Sequence, residues 1–440
     1  MAVWRILASV AAALAIASPG FGQTYSLAEA SQAGKYFHVQ INMKLNGAMQ
    51  ISREGQKVSI KQEATASHDF LERVLEVGSN GLPMKCAQSF KTAKATVTVA
   101  NAPSDKALRA EHRLLVAQRI KDQVLTYCPA GPLTREEVEL TEHFDTLSVT
   151  GLLPGKDVAV GATWKVPNAV AQALSSFEGL TAQDLECKLE QVKDNVARVT
   201  VTGKTAGIDQ GALVKLVIQA QYDFDLKARR LAALEWKQKD ERDQGPVSPA
   251  SMDEVAVSVT RTPIEPVSEL SDIALVSVPD KEPAAPLTQV SYTDKQKRFE
   301  LLHAREWQRV SLTEQHLILR LMDQGDFIAQ VTISPWTRVA PGKHIEPEAF
   351  KEIVAATPGW EQDQELQAGT VPAEGGRWVY RLSALGQLDG LKVMHNFYVV
   401  TSPKGEQVVL VFTMTPSQAK KIGVRDLELV GSVDFPSAAK

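Results

Sequence analysis

The chain predicts an α+β fold: curved, β-rich antiparallel sheets with packed helices through most of its length, followed by a smaller α+β sandwich. Three observations predict it. Long stretches alternate apolar and polar residues with a period of two, isolated capping signals mark short helices among them, and a proline-rich stretch separates two regions of similar pattern. At 440 residues, with 44% hydrophobic and 23% charged content, the composition is globular and the length suits two or three domains. The expected division is a leader at 1–22, a β-rich domain at 23–261 divisible near 151–163, a proline-rich linker at 262–289 and an α+β domain at 290–440.

In the leader, Arg5 precedes an apolar run from Ile6 to Ala17, and Gly20 and Gly22 follow. A dozen or so apolar residues fall short of the roughly 20 that cross a bilayer as a helix, so the segment is expected to be a signal peptide cleaved after Gly22. An uncleaved anchor is the alternative. No later stretch is apolar enough to span a membrane, and no cysteine follows closely to accept a lipid. A soluble periplasmic or secreted chain is therefore expected. The net charge of −4 supplies no long-range field to gather nucleic acid, which argues against that class of partner.

From Tyr36 the period is two: Phe37, Val39, Ile41, Met43 and Leu45 alternate with polar residues until Asn46-Gly47, which suggests a turn. Met49 and Ile51 start the next segment, Glu54-Gly55 turns it, and Val58 and Ile60 continue a meander. The stretch from Leu82 to Tyr127 fits helix or strand. Thr134 and Glu137 form a capping-box pattern flanked by Leu133 and Val138 at staple positions, and a second helix is expected from an Asn168 cap with Val170, Leu174 and Phe177 on one face. The alternation then returns at Leu216, Ile218, Ala220, Tyr222 and Phe224, and again at Val255, Val257 and Val259. Prolines 263, 266, 279, 283 and 286 mark the linker as semi-extended.

Beyond Val290 the pattern predicts a hairpin through Leu317–Ile333, a helix with Pro347 in its first turn, strands from Trp378 and Val393, a hairpin across Pro403-Lys404-Gly405, and a last helix opened by Thr415 and Gln418.

Three cysteines in an oxidising compartment suggest one disulfide and one thiol. Cys187 alternates with Leu185 and Leu189 on an apolar strand face, where it is expected to be buried and free, which leaves Cys86 and Cys128 as the expected pair.

The stretch YCPAGPLTREEVELTEHFDTLSVTGLLPGKDVAVGATWKVP resembles a GPLTREEL-type pattern of exported bacterial proteins common in planctomycetes, a family without assigned activity. The β-plus-helix layout around it is similar in outline to LolA-like lipoprotein carriers, in which a curved sheet closes over an apolar cavity. Over the last 150 or so residues, FELLHAREWQRV, LRLMDQGDFIAQVTI and VVLVFTMTP resemble the PsbP-like fold. That resemblance implies a non-enzymatic binding or assembly subunit with no cofactor.

No nucleophile elbow, metalloprotease pair, calcium loop or phosphate-cradling loop occurs. The serine–lysine spacing of Ser437 and Lys440 falls at the extreme terminus. His395 shares a strand face with Val393, Phe397 and Val399, which favours a core histidine; His303, His316 and His344 lack metal-ligand spacing. Trp307, Trp336, Trp360 and Trp378 fit packing better than a sugar platform. No catalytic, metal or cofactor residue is assigned. The expected function is a non-enzymatic exported protein whose N-terminal sheet binds an apolar small molecule or an envelope partner. The alternatives are a hydrolase assembled from dispersed residues, centred on His395 or His344, and a purely structural envelope component.

Overall fold

The computed structural model describes residues 23–436 apart from Glu54 and Asp122, so the expected signal peptide and the Ser437–Lys440 spacing lie outside the described residues. Strand accounts for 56% and helix for 12%, which corrects the expected α+β class to a mostly β protein. The ambiguous stretch after Leu82 supplies part of the difference. It forms the strands Pro83–Val99, Ala102–Ala107, Leu114–Ile120 and Gln123–Tyr127. The anticipated helices are short as well: Arg135–Thr141 and Asn168–Leu174 each make about two turns.

Thirteen strands form one antiparallel sheet. Its path runs from Thr163–Lys165 through Glu186–Lys193, Val196–Asp209, Ala212–Asp225, Arg230–Arg242 and Ala250–Pro263, then crosses to Tyr36–Arg53, Gln56–Val77, Pro83–Val99, Leu114–Ile120 and Gln123–Tyr127. Strand alternation decides which face is dry. On Ala212–Asp225 the buried residues are Ala212, Val214, Leu216, Ile218, Ala220, Tyr222 and Phe224, while Lys215, Val217 and Gln219 stand in water. Each large aliphatic side chain so buried contributes about 1.5–3 kcal/mol. The inner face packs against Arg135–Thr141, the tight helix Thr146–Leu152 and Asn168–Leu174, while Thr24–Ser26 and Asp157–Ala159 pair in a small sheet of their own.

The turn expected at Asn46-Gly47 is not there. Tyr36–Arg53 runs unbroken as an 18-residue strand, and the chain reverses only at residues 53–56. Gly47 serves a close approach instead. The Asp253 side chain lies over it and accepts a hydrogen bond from Gln62 Nε2 at 2.6 Å, from the strand on the other side of Gly47. A Cβ on Gly47 would fall 2.0 Å from Asp253 Oδ1 and 2.4 Å from the Met252 carbonyl oxygen.

Within the proline-rich segment at 262–289, expected as a semi-extended linker, residues 264–281 lie as a strap on the outer face of the sheet. Leu270 and Leu275 pack on Leu71 and Ala87, and Arg73 Nη1 donates to the Leu270 carbonyl at 2.9 Å. Lys85, only 2% exposed, turns its ammonium onto the carbonyls of Pro279, Asp280 and Lys281. The same carbonyls replace the water that burial removes.

A seven-stranded antiparallel sheet follows, ordered Trp307–Leu312, Leu317–Asp323, Asp326–Trp336, Gln407–Met414, Leu391–Thr401, Trp378–Leu388 and Trp360–Val371. The helix Pro347–Ala355 covers one face through Phe350 and Val354; Arg425–Gly431 covers the other through Leu429 and Val430. Between the large sheets, Val290–Thr293 pairs in parallel with Leu133–Thr134 and antiparallel with Glu300–His303. Arg309 Nη1 meets Glu136, and the Arg305 guanidinium reaches Glu142 and the Thr126 carbonyl.

The expected Cys86–Cys128 bridge is not formed: all three cysteines are free and buried. Cys86 lies inside the sheet between Val74 and Ala117, with Glu72 and Arg261 as charged neighbours, whereas Cys128 opens a tight turn to Gly131 beside Arg109 and Glu137. Asn168 does not cap its helix, since its Oδ1 accepts from Gln183 Nε2 at 2.8 Å and Pro167 occupies the cap position.

Because both the Met252 carbonyl and the Asp253 side chain crowd Gly47, Gly47→Ala is expected to destabilise the sheet by about 1–3 kcal/mol. A lowered urea midpoint with unchanged transition slope is the expected reading. An unchanged midpoint would show that the two strands separate freely at this position.

Candidate functional site

Behind the large sheet the chain's own side chains fill much of the space, and among the described residues two openings lie beside the segment 139–147. The first is a cavity of about 190 Å³ between the sheet and the segment 141–147, walled by Ile41, Phe70, Phe90, Phe144, Phe177 and the imidazoles of His68 and His143. The second is a groove of about 180 Å³ floored by Met43, Leu45, Ala64, Ala66, Ala95 and Val97, with Leu140 and His143 on its rim. His143 belongs to both. The two openings therefore adjoin at one imidazole as a trough, the first of mixed polarity, with Gln88, Glu142, Asp145 and Glu178 also in its wall, and the second apolar.

Its floor follows from strand register. Val257, Met43, Ala66 and Ala95 sit side by side on four neighbouring strands, and Val255, Leu45, Ala64 and Val97 form the next row. Small alanines at the centre of both rows lower the floor, while the groove residues of Tyr36–Arg53, Gln56–Val77 and Pro83–Val99 stay half-buried rather than packed. A row of polar residues closes the trough at its far end: Gln62 bonds Asp253, and Gln238 Nε2 donates to Asp240 Oδ2 at 3.0 Å. Burial, with the nearby Asp253 carboxylate adding to it, pushes the Asp240 carboxyl up to about 6 against the Gln238 hydrogen bond.

The roof is held by polar contacts. Thr134 Oγ1 accepts from the Glu137 amide at 3.3 Å, and the Glu137 carboxylate accepts from the Thr134 amide at 3.0 Å, so the expected capping box is formed. Glu137 is also clamped by Arg109 Nε at 2.9 Å and Nη2 at 2.8 Å. Burial would raise its carboxyl, but the Arg109 and Thr134 hydrogen bonds outweigh burial and hold it at about 2. Asp145 accepts from the Leu147 and Ser148 amides and from Arg119 Nη2 at 2.8 Å, which pins the next turn to the sheet. The Leu152 carbonyl receives Trp164 Nε1 at 2.9 Å, the Tyr222 hydroxyl at 3.3 Å and the Cys187 thiol at 3.6 Å.

His68 and His143 stand with ring centroids 4.8 Å apart. His68 is 4% exposed and its Nε2 has no partner among the described residues. Burial, with His143 adding to it, pushes His68 down to about 3, and burial pushes His143 down to about 4. Two neutral imidazoles therefore line the trough at neutral pH. Neither was singled out in the sequence, although His68 falls in the same alternation as Phe70, Glu72 and Val74.

The C-terminal histidines do not converge. His395 is buried between Trp360 and Phe397, and neither ring nitrogen has a hydrogen-bond partner among the described residues. His344 stacks on Trp378 at 3.9 Å and bonds the Ile345 carbonyl, while His303 bonds the Ala304 carbonyl. Among the described residues, no carboxylate or hydroxyl is hydrogen-bonded to either His395 or His344. Among the described residues, no group of three or more His, Cys, Asp or Glu side chains is placed to hold a metal ion, and no helix is long and apolar enough to cross a membrane. Trp307 and Trp360 are core residues, and Trp336 and Trp378 are half-buried against Phe350 and Tyr380.

No protein-family model matches the chain, and no curated protein matches it. Among solved structures, it is similar to cyanobacterial PsbP (CyanoP) from Synechocystis at 11% identity, over 36% of this chain and 99% of that one, with a TM-score of 0.28. The Ran-binding protein Mog1p of Saccharomyces cerevisiae matches at 10% identity over 33% of this chain and 95% of that one, TM-score 0.27. Lipovitellin matches at 9% identity over 58% of this chain and 27% of that one, TM-score 0.28. At such scores the likenesses carry no argument about fold or function.

The depressed histidines give the fold a pH dependence of definite sign. In the unfolded chain His68 and His143 take up protons near the ordinary value of 6.5, but in the folded chain only near 3 and 4. Stability contributed by keeping them neutral is full above about 6.5 and is lost as the pH falls, at about 1.4 kcal/mol per histidine for each pH step. His68→Phe, which keeps a ring in place, is expected to lose less stability than the parent between neutral and mildly acidic pH in urea titrations. Equal losses would show that His68 does not stay neutral in the fold.

Proposed function

We propose that this chain is a non-enzymatic binding protein that holds an elongated apolar ligand in the trough under Arg135–Thr141. One observation carries the reading: two rows of half-buried apolar side chains, Met43, Ala66, Ala95 and Leu45, Ala64, Val97, face an opening that the chain's own helices leave uncovered. Apolar surface left accessible inside a concave site gains about 25 cal/mol for every Å² that a ligand removes from water. Each opening alone is smaller than the roughly 300–1,000 Å³ of a typical small-ligand pocket, so a ligand would have to pass His143 and use both. The signal-like leader supports a periplasmic or secreted place of work.

The test is titration with N-phenyl-1-naphthylamine, an uncharged hydrophobic fluorophore. Saturable enhancement is expected for the parent protein. Ala66→Trp, which fills the floor beneath Leu140 and His143, is expected to weaken it at least about tenfold, or 1.4 kcal/mol, with an unchanged circular dichroism spectrum. Absence of saturable binding by the parent, or undiminished binding by the variant, would overturn the reading.

A further inference from the structure

The outer face of the large sheet carries two exposed surfaces of opposite charge at opposite ends. One is a pair of adjoining grooves, about 290 and 520 Å³, that share Val217 and Lys239. Five lysines line them: Lys44, Lys204, Lys215, Lys237 and Lys239. Lys239 pairs with Glu254 at 2.8 Å. The other four hold no ion pair among the described residues, although Asp184, Asp240 and Glu241 lie in one lining and Glu254 in the other, which leaves the lysines in a small excess. Between the ammoniums the surface is apolar, with Val217 44% and Met252 67% exposed.

The second surface is the strap. Its underside is seated on the sheet through Leu270, Leu275 and the Lys85 latch, but its top presents Ile273 and Val276, 87% and 85% exposed, three residues apart on one turn. Around them stand Glu265, Glu269, Asp272, Asp280 and Glu282, all exposed, against Lys281 on the strap itself and Arg73 of the sheet, which pairs with Asp272 at 2.7 Å. The strap is thus an acidic ridge with an apolar crest, and the grooves are a basic trough with an apolar floor.

Both surfaces belong to one face. Tyr36, whose hydroxyl donates to the Leu270 carbonyl beneath the strap, and Lys44, which lines the groove, project from the same side of one strand. Eight residues of strand separate them by about 26 Å. When two copies of such a face meet about a two-fold axis, the ridge of each falls on the trough of the other, and the contact closes without leaving a free complementary end.

We propose that the outer face of the sheet is a self-docking surface: two copies of this chain associate face to face about a two-fold axis, with the acidic strap of each seated in the lysine grooves of the other. Ile273 and Val276 supply the apolar core of each contact against Val217 and Met252. The carboxylates around them meet the unpaired ammoniums. Exposed pairs of this kind are screened beyond about 8 Å at physiological ionic strength, so added salt weakens the association while the apolar crest limits the loss.

Analytical ultracentrifugation of the full chain tests it. A concentration-dependent dimer that weakens at high salt is expected for the parent. K204E/K215E and E269K/E282K should each sediment as monomers, with circular dichroism reporting that both are folded. Their equimolar mixture should regain the dimer, because each contact in the mixed pair then joins opposite charges. I273D/V276D should be monomeric in low salt and high. A monomeric parent at every concentration, variants that remain dimeric, or a mixture that stays monomeric would overturn the proposal.

Discussion

The antiparallel pairing of Tyr36–Arg53 with Ala250–Pro263 is the constraint on which the rest of the molecule depends. It runs in unbroken register from Ala250 opposite Gln50 to Pro263 opposite Phe37, and joins residues 200 to 226 positions apart in the chain. Without it there would be two meanders, each with an exposed edge. With it there is one sheet broad enough to carry a helical insertion inside and a strap outside. Gly47 is the local condition for that join, since the Asp253 side chain crosses the central strand there to reach Gln62. Loop closure over such a separation is slow and entropically costly, and only the apolar rows on both sides of the junction offset it.

The inner face shows how a sheet with one dry side can remain partly open. Phe144, Phe177 and Trp236 fill the deep end, where Phe144 meets Trp236 edge-on at 6.2 Å. Toward the far end the roof stops at Leu140 and His143, because the helix Arg135–Thr141 is only seven residues long and is tied on both sides. Arg109 and Thr134 clamp Glu137 at its start, and Arg305, in the turn after the strand Glu300–His303, reaches Glu142 just past its end. The helix cannot slide to cover the alanine rows. The trough is thus a consequence of charge pairing on the roof as much as of apolar patterning on the floor.

Proline content misleads where side chains are seated. The segment at 262–289 has the composition of a spacer, yet Leu270 and Leu275 are 0% and 8% exposed and Lys85 is spent on its carbonyls. Polar termination of a buried lysine on backbone oxygens ties the strap to the sheet without any regular hydrogen-bond ladder. The result is an outer face with an acidic ridge standing at a fixed distance from its lysines.

Much of the local structure was legible in the sequence by itself. Period-two alternation named the buried rows Leu216–Phe224 and Leu317–Ile333, and the Thr134 capping box and the Pro347 helix start form as their residues dictate, because these depend on neighbours within a few positions. What tertiary structure decided were the matters that require distant partners. Asn46-Gly47 became part of a strand because Tyr36–Arg53 is paired on both sides there, with Gly47 leaving room for Asp253, and Cys86 and Cys128 are free thiols in different surroundings. His68 and His143 became a pair only when the roof closed over the sheet. No local pattern encodes that meeting, since the two rings lie 75 positions apart and touch only through the fold.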